Sequence, residues 1–193
     1  MIKILFICHG NICRSPMAEF IFKDIIEKEG IADKFFVSSA ATSSEELGNG
    51  VYYAAAEKLS KMGINSNGKC AVKMSKSDYD RYDYIIAMEE KNVRNILKII
   101  GSDKDKKVFK LLDFADGGDI ADPWYSRNFD LACDEIIKGC RGFIEYLSKK
   151  GKKISRNKAK LALFYTFLYL NEENLKIIKS CLQLFAQKTI KKQ

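Results

Sequence analysis

Ile2-Lys3-Ile4-Leu5-Phe6-Ile7-Cys8-His9-Gly10-Asn11-Ile12-Cys13-Arg14-Ser15-Pro16 reads as a strand, a tight loop and the opening of a helix. Ile2 to Ile7 is an apolar, β-rich run that ends in a glycine-containing turn. Ser15-Pro16 starts a helix where proline's missing amide donor does no harm. Met17, Phe20, Ile21, Ile25 and Ile26 then recur at helical spacing, with Gly30 at the expected stop. The alternation continues outward. A strand at Phe35 to Ser39 is followed by a helix over Asn49 to Met62, ending at Gly63. Next come a buried strand at Tyr84 to Met88, a helix over Glu89 to Ile100 and a strand at Val108 to Leu112. An acidic, glycine-bearing loop runs from Asp113 to Tyr125, and a helix over Asn128 to Lys149 closes the unit.

Strands that alternate with helices pair in parallel through right-handed crossovers. This predicts an α/β fold, a four-stranded parallel doubly wound sheet with helices on both faces. Such sheets bind ligands beyond the carboxyl ends of their strands, so chemistry is expected in the loop after the first strand.

Composition narrows the class. The 193 residues, 47% of them hydrophobic, suffice for one full core plus an appendage. Six cysteines without paired spacing or a CxxC suggest reduced thiols rather than a disulfide scaffold or zinc site, hence a cytoplasmic protein. The apolar run at the N-terminus is too short for a signal peptide. The net charge of +8 invites a nucleic-acid reading, but its distribution argues against one. Residues 1–150 hold 23 basic and 23 acidic side chains, and residues 151–193 hold 10 and 2.

The residues from Cys8 to Pro16 meet the demands of phosphate-ester cleavage. Amides of a tight turn leading into a helix can hold an anion by backbone alone, aided by the helix N-terminus. The same field favours an anionic nucleophile at Cys8. Arg14 offers a planar, permanently charged fork for two phosphoryl oxygens, a geometry lysine lacks. With six cysteines and six arginines in the chain, a bare Cys-x5-Arg says little. The strand end, Gly10 and Asn11 for unusual backbone angles, and Ser15-Pro16 at the helix start make it informative. Ser15 also offers an N-cap hydroxyl. His9, the single histidine, removes a distant Cys-His pair and histidine-rich metal sites from consideration. No metal or other cofactor is expected.

Cys-x-Gly-Asn-x-Cys-Arg-Ser-Pro followed by Met17-Ala18-Glu19 resembles the signature of the low-molecular-weight protein tyrosine phosphatases, and the likeness spans roughly residues 2 to 148. Val37-Ser38-Ser39-Ala40-Ala41-Thr42, Gly48-Asn49, Tyr82-Asp83-Tyr84-Ile85 with Met88, and Asp122-Pro123-Trp124-Tyr125 resemble further segments of that family in the same order. The resemblance implies hydrolysis of phosphotyrosine in proteins, with Cys8 as nucleophile, Arg14 on the phosphate and Asp122 as general acid, then base. It further implies that Ser15 donates toward the thiolate, that Asn11 and Ser39 brace the loop, and that Cys13 guards Cys8 by a reversible disulfide. A small apolar filler is the plainer reading of Cys13. His9, Gly10, Asn11, Ile12, Cys13 and Ser15 would then surround the phosphate, while Trp124 and Tyr125 face the aryl ring. Glu45 departs from the family, which often has an aromatic there. A carboxylate at that wall would favour basic residues flanking the phosphotyrosine. Two alternatives share the fold. Protein-arginine phosphatases resemble this loop with threonine in place of Ile12, and arsenate reductases need shuttle cysteines that the segment from Tyr82 to Lys107 lacks.

The resemblance ends near Lys149, which suggests a catalytic domain over 1–150 and a basic extension over 151–193. After a Lys-rich linker, Leu161 to Leu170 and Leu175 to Ile190 read as two helices. Docking on the domain, self-association, weak attachment to a membrane surface and an unselected extension are the readings open for them.

Overall fold

The computed structural model describes residues 1–150. The expected linker from Gly151 onward and the two tail helices lie outside the described residues. Four strands, β1 (Ile2–Cys8), β2 (Phe35–Ala41), β3 (Tyr84–Ala87) and β4 (Val108–Lys110), form one sheet in the order β2-β1-β3-β4, every pair parallel. The chain moves from β1 to one neighbour, then crosses back to the other. The order therefore reverses at β1, which places the loop leaving β1 at the topological switch point, where α/β sheets bind their ligands.

Helices cover both faces, as the alternation predicts. Side chains along β1 alternate between them. Ile4, Phe6 and Cys8, with Val37, Tyr84 and Ile86, pack under α1 (Arg14–Lys28), α2 (Tyr53–Lys61) and α6 (Phe129–Lys149). Leu5 and Ile7, with Ile85 and Ala87, pack under Ile96 and Ile100 of α4 (Glu90–Ile100). Cys8 thus ends the central strand on the face that α1 covers, and only Lys3 of β1 is exposed. Two four-residue helices, α3 (Asp78–Arg81) and α5 (Pro123–Ser126), complete the set.

Several boundaries differ from the sequence reading for local reasons. The helix expected from Asn49 starts only at Tyr53. Asn49 to Tyr52 is held extended, because Gly50 bridges Cys70, the Ala71 amide donates to the Asn49 carbonyl (2.8 Å) and the Tyr52 amide donates to that of Ile12 (2.8 Å). The fourth strand stops at Lys110, and Leu111–Phe114 tightens into a 3₁₀ turn under α6. Gly139 and Gly142 allow that approach. A Cβ at Gly142 would overlap the Phe114 carbonyl, and one at Gly139 would press on Leu111. Ser15 is not the N-cap of α1. That position is Cys13, without a side-chain cap, and the Ser15 hydroxyl turns inward instead.

Candidate active site

The loop between β1 and α1 turns sharply because Asn11 adopts a left-handed conformation (φ 59°), one that asparagine tolerates better than most residues. Carbonyls of Cys8 and His9 face outward, accepting from the amides of Thr42 and Ser43 (3.0 Å each). The amide of Asn11 donates to Cys8 Sγ (3.2 Å). A Cβ at Gly10 would sit 3.0 Å from Glu46 Cγ, so that side chain would have to give by a few tenths of an ångström.

A buried chain of hydrogen bonds fixes the polarity at the sulfur. Asn11 Oδ1 accepts from the Val72 amide (3.1 Å), which leaves Nδ2 to donate to both Ser15 Oγ (2.9 Å) and Ser39 Oγ (2.8 Å). Ser39 donates to Glu19 Oε2 (2.6 Å), and Ser15 Oγ lies 3.0 Å from Cys8 Sγ, where it donates once the sulfur is a thiolate that can only accept. Glu19 is only 4% exposed, and Lys23 (2.5 Å) and Lys69 (3.2 Å) balance its charge. Two donors therefore converge on Cys8 Sγ, the arrangement a thiolate needs.

Arg14, 1% exposed, lies beside this sulfur at the start of α1. Nη1 donates to the Ile120 carbonyl (3.1 Å), and Nη2 donates to Glu89 Oε1 (3.2 Å) and to Asp122. Burial alone would weaken the guanidinium's hold on its proton. The charge at Cys8, the hydrogen bond to Glu89 and the Asp122 charge outweigh it, so its pKa is raised above the ordinary value. Glu89 follows β3 and is held in turn by Asn92 Nδ2 (3.1 Å). Asp122 caps α5: its Oδ1 accepts from the Trp124 amide (3.1 Å), and its other oxygen takes Arg14.

These groups open into one cleft of about 200 Å³, lined by Cys8, His9, Gly10, Ile12, Cys13, Arg14, Glu45, Glu46, Asp122, Trp124 and Tyr125. The volume suits a compact phosphoester better than a ligand of drug size, whose sites span about 300–1,000 Å³. Of the residues singled out from the sequence, only Asn11, Ser15 and Ser39 do not line it. Their side chains lie beneath the loop. Cys13 is almost buried, and its thiol pKa is pushed up to about 12, chiefly by burial and then by the charges at Cys8 and Asp122. The remaining acids of the 113–122 loop are engaged elsewhere, Asp119 with Lys110 (2.9 Å) and the Glu90 amide (3.2 Å), Asp113 with the Lys110 amide (2.8 Å), Asp116 with Lys138. Cys133 and Cys140 are buried on α6, with thiol pKa values raised chiefly by desolvation.

The family model for low molecular weight phosphotyrosine protein phosphatase matches residues 3–153. The chain belongs to that family. As a phosphatase of this type it is a phosphoric monoester hydrolase. It is 37% identical over 153 residues to the low molecular weight protein-tyrosine-phosphatase YfkJ of Bacillus subtilis, covering 78% of this chain and 98% of that one. The crystal structure of YfkJ superposes with a TM-score of 0.76 over 79% of this phosphatase and 98% of YfkJ. The Gallus gallus low molecular weight phosphotyrosine protein phosphatase is 35% identical over 74% of this chain and 94% of its own. A Drosophila arginine phosphatase shares 28% identity, with a TM-score of 0.70 over 75% of this chain and 97% of that one.

Sequence reasoning missed Glu19, Glu46, Lys69, Glu89 and the Ile120 carbonyl. Glu46, adjacent to Glu45 in an acidic pair, was the one with a local signal. Glu19 stands in the Met17-Ala18-Glu19 stretch just after the loop, but its partners Ser39 and Lys69, like Glu89 and Ile120, come from distant parts of the chain that no local pattern links to the loop.

Proposed function

We propose that this phosphatase hydrolyses phosphotyrosine in proteins through a phosphorylated Cys8. The observation that carries the reading is the convergence on Cys8 Sγ of two hydrogen-bond donors, with Arg14 and Asp122 in the same cleft. A phosphoryl group entering the loop competes with Asp122 for the Arg14 fork. The Cys8 thiolate then attacks phosphorus, the S–P bond forms as the bond to the phenolate oxygen breaks, and Asp122 gives that oxygen its proton. Water next gives a proton to Asp122 as it attacks phosphorus, the S–P bond breaks, and inorganic phosphate leaves with the thiolate restored. Arg14 and the loop amides stabilise the charge on the equatorial oxygens in both steps. Trp124, Tyr125 and Ile12, which all line the cleft, favour an aryl ester.

Phosphoarginine is the second reading, supported by the likeness to the Drosophila enzyme. We further read Cys13 as the partner that captures oxidised Cys8, since both thiols line one cleft. A cytoplasmic setting fits the five described cysteines, all of them unpaired. Among the described residues no helix is long and apolar enough to cross a membrane. The division into a catalytic unit and a basic extension fits a family match ending at residue 153.

The test is rapid-quench trapping of phosphorylated Cys8 during turnover of a phosphotyrosine peptide, beside a phosphoarginine peptide of the same sequence. Cys8→Ser should fold normally and retain less than about 1% of wild-type turnover. Greater residual activity, or faster turnover of phosphoarginine, overturns the reading.

A further inference from the structure

Besides the rings of Trp124 and Tyr125 the cleft carries charge. Glu45 and Glu46 line it together, and the Glu45 side chain is 70% exposed, so its carboxylate meets whatever flanks the phosphorylated residue. Glu46 is fixed beside it by Asn49 Nδ2 (2.7 Å) and by its packing over Gly10. The Arg127 guanidinium stacks on Trp124 (5.3 Å). A peptide in the cleft thus meets two carboxylates and, behind the Trp124 ring, a cation.

His9 touches this acidic wall from the phosphate-binding loop. Its Nε2 lies 3.0 Å from Glu45 Oε2, while its Nδ1 is buried without a hydrogen-bond partner among the described residues. A carboxylate only accepts, so the neutral ring carries its proton on Nε2 and donates it to Glu45. In that state Glu45 keeps its full negative charge toward the substrate. A second proton makes the ring cationic and cancels it.

Resting on the phosphotyrosine reading above, we infer that Glu45 and Glu46 select peptides with basic residues on one side of the phosphotyrosine, and that the protonation state of His9 sets the strength of that selection. The titratable and charged groups that share the cleft with His9 are Glu45, which touches its ring, and Glu46, Cys8, Cys13, Arg14, Asp122 and Tyr125. Titration of the catalytic groups alters the rate for every peptide alike. It therefore cancels in a ratio of two substrates, whereas a change at the rim does not.

The experiment uses the full chain and three phosphotyrosine peptides that differ only in the two residues before or after the phosphotyrosine. These are lysine before, lysine after, or glutamine at all four positions as reference, with kcat/KM measured at pH 5.5 and 8.0. Solvent-exposed ion pairs contribute little each, so wild type should favour one lysine peptide over the reference by about three- to tenfold at pH 8.0, and by less than about twofold at pH 5.5. Glu45→Gln with Glu46→Gln should bring the ratio close to one. His9→Gln should keep the ratio of pH 8.0 at both pH values. If neither lysine peptide is favoured at pH 8.0, or the preference survives the double substitution, the acidic selection is overturned. A ratio that still falls with pH in His9→Gln overturns the role of His9. Failure of wild type to turn over even the reference peptide would instead overturn the phosphotyrosine reading beneath it.

Discussion

The hydrogen-bond chain beneath the loop makes a graded prediction. Asn11 is committed at Oδ1 to the Val72 amide, so both serines accept from its Nδ2 and keep their own protons for other partners. Ser15→Ala removes the hydroxyl donor at Cys8 Sγ and leaves the Asn11 amide alone there. A hydrogen bond to a charged group contributes about 1.5–3 kcal/mol, which is about 10- to 150-fold in the thiolate population. Ser39→Ala leaves Ser15 on the sulfur. It strands one buried Asn11 N–H and cuts the link to Glu19, costing about 1–3 kcal/mol of folding stability rather than nucleophilicity. The assay is the rate of iodoacetate alkylation at Cys8 at pH 5.5, read by mass on the Cys8 peptide because the exposed Cys70 also reacts, alongside urea unfolding. Ser15→Ala should slow alkylation at least tenfold, and Ser39→Ala less than about threefold while lowering the urea midpoint. Equal slowing in both variants, or none in Ser15→Ala, would show that the proton does not run from Ser15 to the sulfur.

Arg14→Lys keeps the charge but cannot span Ile120, Glu89 and two phosphoryl oxygens from one planar group. It should lose at least about 100-fold in kcat/KM, and near-normal turnover of a phosphotyrosine peptide would refute the bidentate role. Asp122→Asn can keep the cap on the Trp124 amide while losing the acid. It should slow phenyl phosphate by about 100-fold or more, with esters of weakly basic phenols much less affected. An unchanged dependence of rate on leaving-group pKa would exclude Asp122 as the acid. Cys13 in Cys8→Ser should resist iodoacetamide at pH 8. Burial, the largest cause of a pKa raised to about 12 in the wild type, persists when the Cys8 charge is removed, so the protonated folded thiol is still favoured below the ordinary value of 9.0 and its protection fades as pH climbs above it. Alkylation at the rate of a free thiol would count against this burial. Gly142→Ala should destabilise the fold by about 1–3 kcal/mol, measured by urea unfolding, because its Cβ meets the Phe114 carbonyl rather than a movable side chain. An unchanged midpoint would mean that the turn yields.

The sequence by itself determined what short-range rules govern. Apolar runs against helical spacing marked the strands and helices, and the adjacency of Cys8, Gly10, Asn11, Arg14 and Ser15 put them in one loop, since consecutive residues must share it whatever the rest of the chain does. The tertiary structure alone decided the partners. Arg14 is aimed by Glu89 and Ile120, 75 and 106 residues away, and Ser39 reaches Glu19 only because β2 pairs with β1 in register. Tertiary contacts also overrode a local signal: Asn49 to Val51 follows the helical pattern, yet its backbone is claimed by Cys70 and Ala71. Which distant donor meets which acceptor depends on the packing of helices against the sheet, and no spacing along the chain encodes it. The carboxylate of Glu45 was visible in the sequence, but its contact with His9 depends on the 42–52 loop folding over the turn that Asn11 makes.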